Sequence, residues 1–348
     1  IHTECYAYKS FQLFQNRFST QNNVRFIKAG VGGTPSELGM IRFDRDVLRE
    51  GERPDIVVIE FAVNDEGDET KGVCYESLVR KVLKLPWKPA VVLLFSVFAN
   101  DWNLQERLRP VGDLYDLPMV SIRDAVTPQF SLKCGEGRIL SKNQFFYDIF
   151  HPNNTGHTIM ADCLQYLFER CDAAEPARVG TFVEGMTEEQ ILSEKLSGPA
   201  VIGADFERIF LLDKKNRYVG AKIRAGGFTS TDMELQSVEM DGNLTQTPEF
   251  PYNWMYDGSR PQMAGFEKEI TCKSLLIIFK DSGEMDVGKA NVFVNDVYCM
   301  TADPHKNNWL HCNAVLLFWE TESRSHKVRI AVTEEDRNKK FTILGFGY

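Results

Sequence analysis

Two short apolar runs rich in β-branched residues constrain this chain most: Asp-Ile-Val-Val-Ile-Glu-Phe-Ala over 55–62 and Ala-Val-Val-Leu-Leu-Phe-Ser-Val-Phe over 90–98. Neither alternates polar with apolar residues, so each reads as a strand covered on both faces, the mark of a parallel sheet between helices. Helical spacing surrounds them. Ala7, Phe11, Phe14 and Phe18 recur on one face, 36–49 carries Leu38, Ile41 and Leu48, and Leu78, Val82 and Leu85 mark a third helix. A helix over 155–171 turns Ile159, Cys163, Tyr166 and Leu167 inward. Further strands are expected at 24–29 and 118–122, so the first half predicts a doubly wound α/β layer with parallel strands.

After Val201 the pattern changes to short apolar stretches broken by Gly, Asn and Asp, at 208–212, 219–223, 275–280, 290–294, 315–319, 327–332 and 341–346. Such spacing predicts an antiparallel β-sandwich of jelly-roll type. Between the halves, 173–199 turns to Ala, Glu, Pro and Gly around one short helix in which Thr187 and Gln190 form a capping box. Residues 1–172, 173–199 and 200–348 are therefore expected to be an α/β domain, a connector and a β-sandwich.

Composition excludes several classes of function. Lys plus Arg number 40 against 49 Asp plus Glu, a net charge of -9, which offers no basic face to a phosphate backbone. Nucleic acid is not an expected partner. The apolar runs fall short of the ~20 residues that cross a bilayer, so no membrane is expected either. The eight cysteines include no pair with metal-ligand spacing; no metal or cofactor is expected, and free buried thiols point to a reducing, cytoplasmic setting.

Ligands of open α/β sheets gather at the carboxyl ends of the strands. Three segments with chemical content fall there or close to the last helix. Asp148-Ile-Phe-His151-Pro-Asn sets an acid and an imidazole three residues apart on a tight turn. The carboxylate can orient one ring nitrogen and leave the other as a general base for a hydroxyl; a surface turn with a locally held His is the plain alternative. Asn64, in Ala-Val-Asn-Asp, follows the 55–62 strand and offers an amide donor. The turn Gly30-Val-Gly-Gly33 offers backbone N–H groups, and the two together would form an oxyanion hole. Helix capping and phosphate binding are the competing uses. The glycines lack the Lys-Ser or Lys-Thr ending of a nucleotide loop.

Over about 1–171 the chain resembles the SGNH, or GDSL-type, hydrolase superfamily. Gly33 matches its second-block glycine, Asn64 its third-block asparagine, and Asp148 with His151 its fifth-block pair; Ala62 stands where the family commonly has glycine. The resemblance implies a flavodoxin-like three-layer domain in which Gly33 and Asn64 hold the oxyanion, His151 is the base and Asp148 orients it. The family's first block, with the serine nucleophile at the end of a first strand, does not occur in the 348 residues. Ser96 and Ser36 do not lie in a nucleophile elbow, and loss of a central strand would leave two open sheet edges. The expectation is an upstream segment carrying the serine; the competing one is an inactive hydrolase domain.

Trp102, in Asn-Asp-Trp-Asn after a strand end, and Trp309, in Asn-Asn-Trp of the second half, are candidates for contact with sugar. Trp254 is expected to pack against the first domain. The neighbourhood of Trp102 and parts of the second half resemble carbohydrate O-acetyl esterases with an attached β-sandwich, such as acetylmannan esterases. That resemblance implies a serine esterase removing O-acetyl groups from oligosaccharides of mannan or xylan type. A glycan-binding protein with an inactive hydrolase domain, and a lipid or small-ester hydrolase, are the alternatives.

Overall fold

The structure is a computed structural model and describes residues 5–19, 21, 23–49, 51–174, 186–242 and 245–348. It divides into two compact units: Ile1–Gly30, Pro35–Arg208 and Glu239–Thr245 form the first, and Val31–Thr34, Ile209–Val238 and Gln246–Tyr348 the second.

The first unit holds a parallel sheet with strands in sequence order: β1 (Ile56–Glu60), β2 (Ala90–Phe95) and β3 (Met119–Ser121). Helices α1 (Tyr6–Phe18), α2 (Ser36–Phe43), α3 (Val73–Leu83), α4 (Gln105–Tyr115), α5 (Ile122–Phe130), α6 (Lys142–Phe145), α7 (Asn154–Ala173) and α8 (Glu188–Ser197) surround it. Alternation along β2 explains the layering. Val92 and Leu94 pack in one core with Val126 of α5, Phe145 of α6, and Met160 and Leu164 of α7. Leu93 points to the other face, where it approaches Gly112 of α4. The expected three-layer α/β fold is thus present, and the α1 stripe is explained by Phe14, whose ring meets Phe18 and Phe168 of α7.

One expected strand is not found. Residues 24–29 make no strand pairing among the described residues. A strand exists through its neighbours, and β1 is hydrogen-bonded to β2 alone. Along β1, Ile56 and Val58 remain 38% and 40% exposed, far from the burial expected of a strand covered on both faces.

Residues 175–185 of the expected connector lie outside the described residues. The rest carries α8, and its capping box forms as predicted: the Gln190 N–H donates to Thr187 Oγ1 and the Thr187 N–H to Gln190 Oε1.

The second unit is an antiparallel sandwich. Its strands are β4 (Leu211–Leu212), β5 (Ala221–Arg224), β6 (Ser237–Glu239), β7 (Gln246–Pro248), β8 (Trp254–Tyr256), β9 (Gly265–Asp281), β10 (Ala290–Val294), β11 (Val297–Ala302), β12 (His311–Val332) and β13 (Phe341–Gly347). The main sheet runs β11-β10-β12-β9-β13-β4, with β5 on β9 and β8 on β13; β6 and β7 pair separately. The 17-residue β9 and the 22-residue β12 pair along their length and serve both layers. The first part of β9 receives β5 while its second part receives β13. Register shifts at Leu316/Phe318 and Trp319/Arg324 let the pair bend. Between the layers lie Phe228, Phe266, Phe279, Phe341 and Phe346.

Two expectations are corrected here. The stretches 315–319 and 327–332 belong to the single strand β12, whose ladder to β9 is interrupted between Trp319 and Arg324 and resumes beyond. Trp254 is buried in the sandwich's own core, 5% exposed against Phe266 and Phe346, where β8 pairs with β13.

Candidate active site

The Asp148–His151 turn is built locally. Phe146 bridges to Pro152, the Tyr147 N–H donates to the His151 carbonyl at 2.8 Å, and Asn153 caps α7 by accepting from the Gly156 N–H. Asp148 Oδ1 accepts the N–H groups of Phe150 and His151, both at 2.7 Å. His151 Nδ1 lies 2.9 Å from Asp148 Oδ2, so that nitrogen carries the proton and donates it to the carboxylate. The bond to the ring and those two backbone donors hold the Asp148 carboxyl at about 2, below the usual carboxylate range. His151 Nε2 has no hydrogen-bond partner among the described residues, and the side chain is 71% exposed. The sequence-predicted pair is therefore in place, with the tautomer a general base requires.

The loop leaving β2 is tied to this turn. The Ala99 N–H donates to the Ile149 carbonyl at 3.0 Å, and the Lys142 ammonium donates to the Ala99 carbonyl. Trp102 stacks on Phe98 with ring centres 5.6 Å apart, Phe98 meets Phe150 edge-on, and Phe150 meets His151 in the same way. Trp102 and His151 thus stand at the two ends of one aromatic series.

Asn64 opens the short helical turn after β1, and its side-chain amide is half-buried with no hydrogen-bond partner among the described residues. The Leu104 N–H, beyond the Trp102 loop, donates to the Ala62 carbonyl at 2.7 Å and joins the two strand ends.

Gly33 belongs to the second unit. Its φ of 71° lies in the region that disfavours side chains, and a Cβ there would stand 2.9 Å from Trp309 Cζ2. Trp309 lies beside this glycine, which stays exposed, rests on the His311 ring at 4.5 Å, and remains 46% exposed itself. The structure thus brings together Asp148, His151 and the Trp102 loop in the first unit, and Gly33 with Trp309 in the second. Sequence reasoning missed His311, which donates from Nε2 to the Gly33 carbonyl at 2.9 Å. The two residues are 278 positions apart, and no local signal joins them.

Neither serine weighed from the sequence is available as a nucleophile. Ser96 hydrogen-bonds the Glu60 carboxyl, which desolvation raises to about 7. Ser36 is fully buried at the start of α2, where its N–H donates to Asp65 Oδ1 at 2.7 Å. Burial, and next the charge of Asp68, push Asp65 up to about 8 and Glu37 to about 10. Among the described residues no group of His, Cys, Asp and Glu is arranged to hold a metal, and no helix is long and apolar enough to cross a membrane. No disulfide joins the eight cysteines; Cys134, Cys171 and Cys299 are exposed, against the expectation that the thiols are buried.

The sequence matches no protein-family profile and no curated protein. The fold, by contrast, has clear relatives. A two-domain esterase (CEX) active on acetylated mannans superposes with a TM-score of 0.75 at 23% identity, covering 99% of this chain and 85% of that one. The same esterase co-crystallised with mannopentaose gives a TM-score of 0.74 at 23% identity and the same coverage. The chain therefore has the fold of a two-domain esterase, an α/β layer followed by a β-sandwich.

Proposed function

We propose that this protein is a serine-dependent esterase that removes O-acetyl groups from carbohydrate. The observation that carries the reading is the Asp148–His151 pair, with Nδ1 held by the carboxylate and Nε2 at the surface, on a fold shared with a two-domain esterase active on acetylated mannans. The substrate class follows that relative, which was also co-crystallised with mannopentaose: acetylated manno-oligosaccharide.

In this reaction a serine hydroxyl attacks the acetyl carbonyl while its proton passes to His151 Nε2. The imidazolium then protonates the departing sugar oxygen. Water next attacks the acetyl-serine, again losing its proton to His151, and acetate leaves as the serine recovers its own. Asp148 stabilises the charged ring at each stage. The Gly33 N–H and the Asn64 amide are the donors to the oxyanion, and Trp102 and Trp309 contact the sugar. The nucleophile is a serine outside these 348 residues, on a strand added beside β1. The half-exposed Ile56 and Val58 of that strand support such an addition.

The test is acetate release by the full-length protein from acetylated manno-oligosaccharides, alongside hydrolysis of p-nitrophenyl acetate. Turnover of both is expected. Trp309→Ala should raise KM for the oligosaccharide several-fold and spare the aryl ester. Binding of the glycan with no acetate released would instead identify a glycan-binding protein, and an equal effect of Trp309→Ala on both substrates would remove its contact with sugar.

A further inference from the structure

Three successive carbonyls of the glycine turn are each occupied by a side-chain donor from the second unit. Thr34 Oγ1 donates to the Val31 carbonyl at 2.8 Å, Gln236 Nε2 to the Gly32 carbonyl at 3.0 Å, and His311 Nε2 to the Gly33 carbonyl at 2.9 Å. Both longer-range donors are themselves fixed. Gln236 Oε1 accepts the Cys312 N–H at 2.9 Å, so its amide is oriented with the NH2 toward Gly32. Asn307 Nδ2 lies 3.3 Å from His311 Nδ1 and 2.5 Å from Asp281 Oδ2, while Asp281 Oδ2 is 3.7 Å from that ring nitrogen. With Nδ1 accepting from Asn307, the proton of the neutral ring sits on Nε2 and points at Gly33. His311 is 6% exposed, so this tautomer is held in a dry setting.

A peptide unit is planar and trans, so its N–H points opposite to its C=O. Holding the Gly32 carbonyl fixes the direction of the Gly33 N–H, and holding the Gly33 carbonyl fixes that of the Thr34 N–H. The N–H groups of Gly32, Gly33 and Thr34 have no hydrogen-bond partner among the described residues. Consecutive N–H groups presented in this way form an anion-binding concavity.

We infer that Gln236 and His311 are positioning residues for the glycine turn: within the second unit they clamp the two glycine carbonyls and so fix the direction of the Gly33 and Thr34 N–H groups as anion donors. The inference rests on the esterase reading for the identity of the anion. The clamp itself is a property of the second unit.

Gln236→Glu gives the cleanest test in the full-length protein, because it keeps the shape and the acceptor for Cys312 but replaces the donor to Gly32 with a carboxylate oxygen. His311→Phe keeps a ring against Trp309 and removes the donor to Gly33. Each is expected to lower kcat on acetylated manno-oligosaccharide roughly 10–10²-fold, with KM within about twofold and Tm unchanged. His311→Gln, which retains a donor, should recover part of the loss. The 15N shifts of Gly33 in Gln236→Glu and of Thr34 in His311→Phe, each sensitive to the hydrogen bond at the carbonyl of its own peptide unit, should move. Unchanged kcat, or a loss matched by a fall in Tm, would overturn the positioning role. A wild-type protein that releases no acetate would count against the esterase reading, and 15N shifts unchanged in the variants would still refute the clamp on its own.

Discussion

The turn around His151 and the glycine turn at 31–34 are held in opposite ways. Every bond that fixes Asp148 against His151 comes from within a few residues, and the imidazole stands 71% exposed. The Gly32 and Gly33 carbonyls are held from 204 and 278 positions away, and Trp309 lies beside Gly33. A proton-transfer pair can be carried on one loop because it needs only a tautomer and an orientation. Backbone donors need their whole peptide planes fixed, and a short glycine turn cannot supply that by itself.

Substitutions in the locally held His151 turn should cost the most activity. His151→Ala and Asp148→Asn should each lower kcat roughly 10³–10⁴-fold with little change in Tm, since the turn keeps its backbone bonds in the first variant and the side chain is exposed in both. A Tm loss comparable to that of a core substitution would show that the turn is a structural element. Asn64→Ala comes next: loss of one oxyanion donor should cost roughly 10²–10³ in kcat. Near-normal turnover in that variant would leave the backbone donors as the whole oxyanion site.

The carboxyl groups differ between exposed and buried positions too, with a smaller consequence, for stability. Asp148 is exposed and held at about 2, whereas Glu37, 1% exposed at the start of α2, is raised to about 10 chiefly by burial. A carboxyl whose pKa is higher folded than unfolded contributes fully below its unfolded value, about 4.3, and loses that contribution as pH rises toward the folded one. Glu37→Gln keeps an acceptor for the Glu69 N–H, which donates to Oε1 at 2.8 Å. Its gain over the natural protein should therefore grow between pH 5 and pH 9, to on the order of 1–3 kcal/mol. Thermal melts across that range giving a constant difference would show that Glu37 is ionised in the fold.

The same division explains what was legible in the sequence. Asp148 with His151, Asn64 after its strand, the α1 stripe and the Thr187–Gln190 capping box are short-range patterns, and each takes the expected local form. The segment 24–29 has strand composition, yet composition cannot provide a pairing partner. Trp254 is flanked by turn-forming residues and looks like a surface ring until β8 joins β13 and turns it inward. In β12, the polar stretch around Glu322 imitates a loop because it falls in the register shift between Trp319 and Arg324, where the strand is exposed and carries no apolar signal. Gln236 and His311 gave no sign, since a donor to a distant carbonyl has no sequence pattern of its own.

Whether Asp148 and His151 activate a serine can be read by treating the full-length protein with a fluorophosphonate and locating the label by mass spectrometry. One serine upstream of Ile1 should be modified, with fluoride displaced, and labelling should be lost in His151→Ala. A protein that takes no label, or takes it on Ser36 or Ser96 regardless of His151, would contradict it.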